Sequence, residues 1–372
     1  MNKERNRDVR EPLVHLTRRS TMNPAAAWGV RILAVMLGLV VCGIAAFLLV
    51  EKLQKNPERI GEFYYTFIKG SFATPRKAWK YFKDLAILLS IALALTPAFR
   101  MRFWNTGAEG QTLMGVLGAI AVAFYLGGKI PEALLLVLMF AAALICGAVW
   151  GVIPALFKAK WNTNETLFTL MMNYVASYIV AYFLVIWVPS GSSNLGKLKY
   201  GKLPSFGHEY LVIILVTLLL TIALHIYLNY SKHGYEINVV GESIRTARYV
   251  GIGVGKVIIR TMILSGALCG LAGYMIAAGL DQTITTESVG GQGFTAIMVC
   301  WLAKFNPIGM ILTSGLVTLL DHGAAQISQD FGVAADFPDV VVGIILFFVI
   351  GSEFFINYRL HFRNHGKEER IK

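Results

Sequence analysis

The feature that most constrains this chain is a succession of long apolar runs covering most of its length. The first run contains one charged residue, Arg31. A helix needs about 20 predominantly apolar residues to cross the hydrocarbon core of a bilayer. The sequence therefore predicts an all-α, polytopic membrane helix bundle of about ten transmembrane segments. The runs are Trp28–Val50, Leu85–Phe99, Leu113–Gly128, Ala133–Phe157, Leu167–Val188, Leu211–Asn229, Val257–Leu280, Phe294–Ala303, Ile308–Leu320 and Val340–Ile356.

Three of these runs, the second, eighth and ninth, are short for a full crossing, so some broken or short helices are expected. The composition agrees with a membrane protein, because only 15% of the residues are charged, against about a quarter in soluble proteins. So many helices leave little chain for a soluble domain. We therefore expect one membrane domain at 28–357, between tails at 1–27 and 358–372.

The net charge of +12 is distributed unevenly. Lys and Arg concentrate in 1–27, in 230–260 and in 358–372, whereas 281–292 and 321–339 contain acidic residues and no Lys or Arg. Basic loops remain in the cytoplasm. The pattern predicts that both termini and the loop 230–256 are cytoplasmic, and nucleic-acid binding is not expected.

Residues 51–83 fit this orientation badly. They should lie outside, yet they mix many aromatic residues with Lys and Arg. Such a mixture is typical of an amphipathic element at the level of the lipid headgroups. We expect an external or interfacial segment here.

A polar segment at 105–111, of sequence NTGAEGQ, separates the second and third apolar runs. Irregular backbone at membrane depth persists only where protein shields it or where it lines a watery cavity. Asn105, Glu109 and Gln111 are therefore candidates for the translocation pathway. The alternative is an ordinary cytoplasmic turn between two short helices.

A second polar group begins the fifth run and continues into its middle, with Asn164, Glu165 and Asn173. These residues are also candidates for the pathway. Two alternatives remain open. Glu165 could complement the positive N-terminus of its helix, and Asn173 could bond a neighbouring helix, as polar side chains commonly do in membrane bundles.

The basic loop contains the signals of a short helix. Ser243 is a plausible N-cap and Gly251 a plausible C-terminal stop. A capped cytoplasmic helix with Glu242, Arg245 and Arg248 on it would suit docking to a soluble partner. The alternative is an interfacial helix whose arginines contact lipid headgroups.

No catalytic site, metal site or cofactor is expected. Residues 251–256, GIGVGK, do not complete the phosphate-binding loop, since Val250 and Val257 stand where that motif requires glycine and Ser or Thr. The four cysteines lie inside apolar runs without metal-ligand spacing, and only His361 and His365 share a helical face. If transport is driven by ATP, the ATPase is another chain.

Taken together, these motifs resemble the permease subunits of bacterial ABC importers for nucleosides and simple sugars, in the branched-chain amino acid/ribose permease superfamily. The matching segments are 105–111, 163–165 with 171–174, 240–252, 264–273, Gly293-Phe294 and Asn306-Pro307. The chain departs from the usual pattern at Thr295-Ala296 and at Ala303-Lys304.

The resemblance implies a multi-pass protein of the bacterial cytoplasmic membrane that forms the passage for nucleosides or related sugars. It implies three partners: an ABC ATPase subunit, a second permease that is identical or homologous, and an extracytoplasmic solute-binding lipoprotein. It also implies a coupling helix seated in the ATPase, formed by Gly241, Glu242, Ser243, Arg245, Ala247, Arg248 and Gly251. A different class, the ion-coupled secondary transporter of a small polar solute, would also explain broken helices.

Overall fold

The structure is a computed structural model that describes residues 14–19, 22–49, 54–188, 191, 193–205, 207–333 and 337–362. Most of the described residues are helical. The described helices are α1 (Pro24–Leu49), α2 (Ile60–Phe72), α3 (Pro75–Arg100), α4 (Ala108–Leu126), α5 (Glu132–Trp161), α6 (Glu165–Trp187), α7 (Leu211–Tyr230), α8 (Lys232–Glu242), α9 (Ile244–Tyr249), α10 (Val254–Ile276), α11 (Gln292–Leu302), α12 (Pro307–Phe331) and α13 (Phe337–Asn357). A 3-10 turn, Pro57–Arg59, precedes α2, and a π-helical turn, Ala277–Asp281, follows α10.

Within the described residues, nine helices are long and apolar enough to cross a membrane: α1, α3, α4, α5, α6, α7, α10, α12 and α13. A tenth apolar helix, α11, has only 11 residues. At 1.5 Å per residue it is about 16 Å long, roughly half a crossing. The predicted polytopic helix bundle with a short member is confirmed.

Two of the three short apolar runs do not form short helices. Residues 85–99 lie in α3, which has 26 residues, and residues 308–320 lie in α12, which has 25. Both helices continue through charged residues that bind one another. Asp84 accepts a hydrogen bond from His322 of α12 (2.9 Å) and pairs with Lys83 (2.9 Å). Counting apolar residues therefore underestimates the length of these two helices.

Two helices begin outside the runs from which the membrane domain at 28–357 was expected, and the domain boundaries stay a prediction. Helix α1 begins at Pro24, and residues 75–83, expected in a separate external segment, form the first turns of α3. Thr74 caps that helix by accepting from the N–H of Lys77 (3.3 Å). Residues 50–53 lie outside the described part of the chain. The placement of the segment before α3 outside the membrane stays a prediction.

The two tails meet in a short antiparallel ladder that the sequence did not predict. Strand β1 (Val14–Arg18) pairs with β2 (Tyr358–Phe362), with Val14 opposite Phe362. The rest of the tails, 1–13, 20–21 and 363–372, lies outside the described residues. The cytoplasmic location of both tails stays a prediction.

The chain divides into two compact units, Met1–Thr66 with Ala324–Lys372, and Phe67–Gly323. In the first unit α1 packs against α13. The guanidinium of Arg31 binds the carboxylate of Glu353 at 2.7 Å, so the charge inside the first apolar run is paired. Farther along, Cys42 lies against the Val341 carbonyl (3.6 Å).

In the second unit the central helix is α10, which packs against α4 and α5 through glycines. A Cβ on Gly147 of α5 would lie 2.8 Å from Cα of Gly270, and a Cβ on Gly115 of α4 would lie 2.6 Å from the same atom. Small residues let helix backbones approach closely in membranes. This close packing fixes the position of α10 beside the polar segment 105–111.

Candidate translocation and coupling sites

A break at residues 101–107 separates α3 from α4, and the polar segment 105–111 runs from the end of this break into the first turn of α4, shielded from solvent. Asn105 is fully buried, with 0% of its surface exposed. Its side-chain amide pairs reciprocally with that of Gln111, at 3.1 Å in both directions, and also donates to the Ser265 hydroxyl of α10 (3.2 Å). Protein therefore shields the irregular backbone, as membrane depth requires.

Asn173 closes the same break from α6. Its side-chain oxygen accepts from the Gly110 N–H (2.9 Å), and its nitrogen donates to the Thr106 carbonyl (2.9 Å). Only 6% of Asn173 is exposed. A Cβ on Gly110 would lie 2.9 Å from Cα of Asn173, so glycine is required for this approach. The structure thus gives Asn173 the role of bonding a neighbouring helix.

Thr169 and Ser265 belong to the same polar assembly, and sequence reasoning missed both. Thr169 lies one helical turn before Asn173, so both side chains point to the same face of α6. Its hydroxyl accepts from the Thr106 N–H (3.1 Å) and lies 3.0 Å from the Thr106 hydroxyl. The four-residue spacing from Asn173 is the signal that could have identified Thr169. Ser265 carries no comparable signal.

Glu109 holds the N-terminus of the short helix α11. Its two carboxylate oxygens accept from the N–H groups of Gly291 (2.8 Å) and Gly293 (2.7 Å). The N–H groups at a helix start have no partner within the helix, and an anion there is stabilised by the helix dipole. A Cβ on Gly293 would lie 2.7 Å from Cα of Glu109, and Gly291 has φ of +76°. Both glycines are needed for this contact.

The opposite end of α11 leads to the base of the same break. Arg100, the last residue of α3, donates through Nε to the Phe305 carbonyl just beyond α11 (3.1 Å). Because α11 is about 16 Å long, the Glu109 carboxylate lies about half a bilayer away from Arg100. The segment from Arg100 to Glu109 therefore extends along about the length of α11.

Asn164 and Glu165 organise the connection between α5 and α6. Asn164 caps α6 by accepting from the Leu167 N–H (3.2 Å), and Glu165 pairs with Lys158 of α5 at 2.8 Å. A groove of about 400 Å³ lies beside them, lined by Thr163, Asn164, Leu167, Phe168, Met171, Met172 and Val175. For all six pathway candidates the structure assigns contacts within the fold, and contact with solute stays a prediction.

The predicted helix of the basic loop is present as α9. The Ser243 hydroxyl accepts from the Thr246 N–H (3.2 Å), and Gly251 adopts the left-handed conformation with φ of +81°. A further helix, α8, was not predicted. It is capped by Ser231, whose hydroxyl accepts from the Gly234 N–H (3.0 Å). Because α8 ends at Glu242 and α9 begins at Ile244, the chain turns sharply between the two helices. Residues 241–251, from the end of α8 through α9 to Gly251, are here named the coupling elbow.

The elbow has one buried side and one exposed side. Ala247 is fully buried, whereas Glu242, Arg245 and Arg248 are exposed, and Tyr249 is 92% exposed. Among the described residues none of these three charged side chains forms a hydrogen bond or an ion pair. An exposed surface with unpaired arginines and a large aromatic ring is typical of a binding site for another protein.

The elbow is attached to the membrane helices at Arg100. A Cβ on Gly241 would overlap the Arg100 carbonyl oxygen, so the two backbones touch. The Arg100 side chain binds the Phe305 carbonyl, as above, and also donates to Asn229 at the end of α7 (3.0 Å). The elbow, α3, α7 and the segment after α11 therefore meet at one residue, five positions before the buried Asn105.

Comparison with known proteins identifies the family of this chain. The family model described as "Branched-chain amino acid transport system / permease component" matches residues 80–350. The chain belongs to this family. It is an integral membrane permease component, so the prediction of a non-enzymatic membrane subunit is confirmed. Within the described residues no group of three or more His, Cys, Asp or Glu side chains is placed to hold a metal ion.

Curated relatives include permeases for two kinds of solute. The guanosine ABC transporter permease protein NupP of Bacillus subtilis is 29% identical over 86% of this chain and 93% of its own length. The glucose ABC transporter permease protein TsgB13 of Haloferax volcanii is 27% identical over 93% of both chains. The nucleoside ABC transporter permease protein NupB of Lactococcus lactis is 24% identical over 75% of this chain and 80% of its own length.

Proposed function

We propose that this chain forms part of the solute passage of an ATP-driven nucleoside importer in the bacterial cytoplasmic membrane. The observation that carries the proposal is the contact between the coupling elbow and Arg100. It connects an exposed, basic surface to the buried break between α3 and α4. A permease driven by a separate ATPase needs such a mechanical connection.

The coupling step follows from these contacts. An ATPase subunit binds the exposed side of the elbow, through Arg245, Arg248 and Tyr249. When the ATPase closes, it displaces the elbow and, through the Gly241 contact, the end of α3. Arg100 transmits the displacement to Phe305 and hence to α11. The opposite end of α11 is held by Glu109, so the break and the short helix move together.

Nucleosides are proposed as the solute class because two of the three relatives described above are guanosine and nucleoside permeases. A glucose permease is also similar over most of the chain, so sugars are the second candidate. A second permease, identical or homologous, completes the passage. An extracytoplasmic solute-binding lipoprotein delivers the nucleoside, and both termini lie in the cytoplasm.

The experiment is uptake of radiolabelled guanosine, uridine and glucose into proteoliposomes that contain the assembled transporter. We expect nucleoside uptake that requires ATP on the side of the membrane where the ATPase subunit is bound. Replacing the phosphate-loop lysine of the ATPase subunit should abolish it. Equal uptake with the inactive ATPase would contradict the proposal, and preferential glucose uptake would change the solute class.

The alternative of an ion-coupled secondary transporter is not retained. The family consists of permease components, which work within multi-component transport systems. The exposed coupling elbow also has no role in a transporter that works alone.

A further inference from the structure

Helix α6 has an exposed face that carries three tyrosines, whose hydroxyls have no hydrogen-bond partner among the described residues. Tyr174, Tyr178 and Tyr182 are spaced four residues apart, so their side chains form one row along the helix. They are 60%, 77% and 65% exposed. The opposite face of α6 is buried and contains Thr169 and Asn173, which seal the break.

The tyrosine row lies at the depth of the hydrocarbon core. Helix α6 has 23 residues and is about 34 Å long, and Tyr178 is about 20 Å from its start. Tyrosines that face lipid concentrate at the membrane surfaces, where the hydroxyl meets water. None of the three hydroxyls forms a hydrogen bond within the part of the chain that the structure describes. Because an unpaired hydroxyl in hydrocarbon is costly, we expect this face to meet water or a polar solute.

The same face is unlike a helix-packing surface. Helix contacts in membranes favour small residues such as glycine and alanine. The exposed residues of α6 are all large: Leu167, Met171, Tyr174, Val175, Tyr178, Tyr182, Val185 and Ile186. The row is therefore better suited to a solute than to close packing with a second permease.

The chemistry of the row indicates which solute. Between Thr166 and Trp187 the helix contains no Lys, Arg, Asp or Glu, so the face offers nothing to balance a phosphate. Tyrosine rings present flat surfaces on which heteroaromatic bases stack, and such stacking tolerates different bases. The hydroxyls offer hydrogen bonds to a neutral polar group such as ribose.

We propose that Tyr174, Tyr178 and Tyr182 line the solute passage and stack the base of an uncharged nucleoside as it crosses. This inference rests on the proposed function and adds its contact residues. The groove beside α6 adjoins the row, since Met171 and Val175 line the groove and lie on the exposed face. The solute thus passes along the exposed face of α6 from the tyrosine row to the groove, while the opposite face of the same helix seals the break that the coupling elbow controls.

The first test asks whether the row meets water. Tyr178→Cys and the control Leu219→Cys, on the exposed face of α7 (71% exposed), are prepared in a variant of the assembled transporter whose native cysteines are replaced. A charged, water-soluble thiol reagent should modify position 178 faster than position 219, and guanosine should slow the reaction at position 178. Equal labelling, or labelling unaffected by guanosine, would overturn the proposal.

The second test measures uptake. Tyr178→Leu removes the ring and should lower guanosine uptake about tenfold, because a stacking contact is lost. Tyr178→Phe keeps the ring, so uptake by this variant should fall less. Leu219→Ala should leave uptake unchanged. The second permease must still co-purify with Tyr178→Leu.

The outcomes separate this inference from the proposed function. If the unmodified transporter shows no ATP-dependent nucleoside uptake, the proposed function fails. If it transports nucleosides but Tyr178→Leu retains full uptake, only the tyrosine row is wrong. Loss of the second permease from Tyr178→Leu preparations would show that the face packs against that subunit, and would also overturn the inference.

Discussion

The break at residues 101–107 and the coupling elbow are both polar interruptions between helices, but they treat their polar groups in opposite ways. In the break, Asn105 is fully buried and its amide bonds to Gln111 and Ser265. In the elbow, Arg245 and Arg248 are exposed, and neither has a partner in the described part of the chain. Each contains one glycine that lies close to neighbouring backbone: Gly107 beside the Thr169 carbonyl and Gly241 beside the Arg100 carbonyl.

The difference follows from the surroundings. A polar group at membrane depth that lacks a partner is costly, so the break satisfies its polar groups internally. The charged side chains of the elbow are exposed, and exposed charges remain hydrated at little cost. Polar residues in the break therefore maintain the fold, whereas those of the elbow are available to a partner.

The largest effect is expected from the double substitution Arg245→Glu with Arg248→Glu. Reversing two exposed charges should abolish ATPase co-purification and uptake while the protein remains folded in the membrane. Lys232→Glu with Lys256→Glu, two exposed lysines outside the elbow, is the matched control. Full uptake in the double arginine variant would show that the elbow is not a docking surface.

A nearly equal effect is expected from Gly241→Val, since the new side chain would collide with the Arg100 carbonyl. Uptake should fall severely, measured together with ATP hydrolysis, because the connection to α3 is displaced. Gly255→Val is the control, where a Cβ would lie at an ordinary 3.7 Å from Ala159. If both variants transport equally, Arg100 is not the route of coupling.

Glu109→Ala should have an intermediate effect. It removes two hydrogen bonds to a carboxylate and leaves the start of α11 without its cap, a loss of about 2–4 kcal/mol. The melting temperature in detergent should fall, and the affinity or rate of nucleoside uptake should change. Glu109→Gln should recover part of the stability, because the amide oxygen still accepts one bond. Unchanged stability and kinetics would refute the capping role.

The smallest effect is expected from Glu165→Gln. Its ion pair with Lys158 lies at the connection between α5 and α6 and is partly exposed, so its loss should cost only about 0.5–1 kcal/mol. A small fall in melting temperature with normal uptake is the expected result. An effect as large as that of Glu109→Ala would show that the two carboxylates, Glu165 and Glu109, contribute equally to stability or uptake.

Several elements could be predicted from the sequence because their signals are local. Apolar runs identified the crossing helices, and Ser243 and Gly251 marked the two ends of α9. The lengths of α3 and α12 could not be predicted from apolar runs alone. Both helices continue past the apolar residues because Asp84 is hydrogen-bonded to His322, which lies 238 residues away along the chain. Helix α8 was missed because its few apolar residues resemble those of a loop.

The sequence by itself determined the membrane bundle, the family and the positions of the polar interruptions, since hydropathy and helix caps act over a few neighbouring residues. Only the tertiary structure decided which polar side chains have hydrogen-bond partners within the fold. Glu109 and Gly291 lie 182 residues apart in the chain, and nothing local predicts their contact. The reason is physical, since a buried hydrogen bond depends on the partner that folding brings to it.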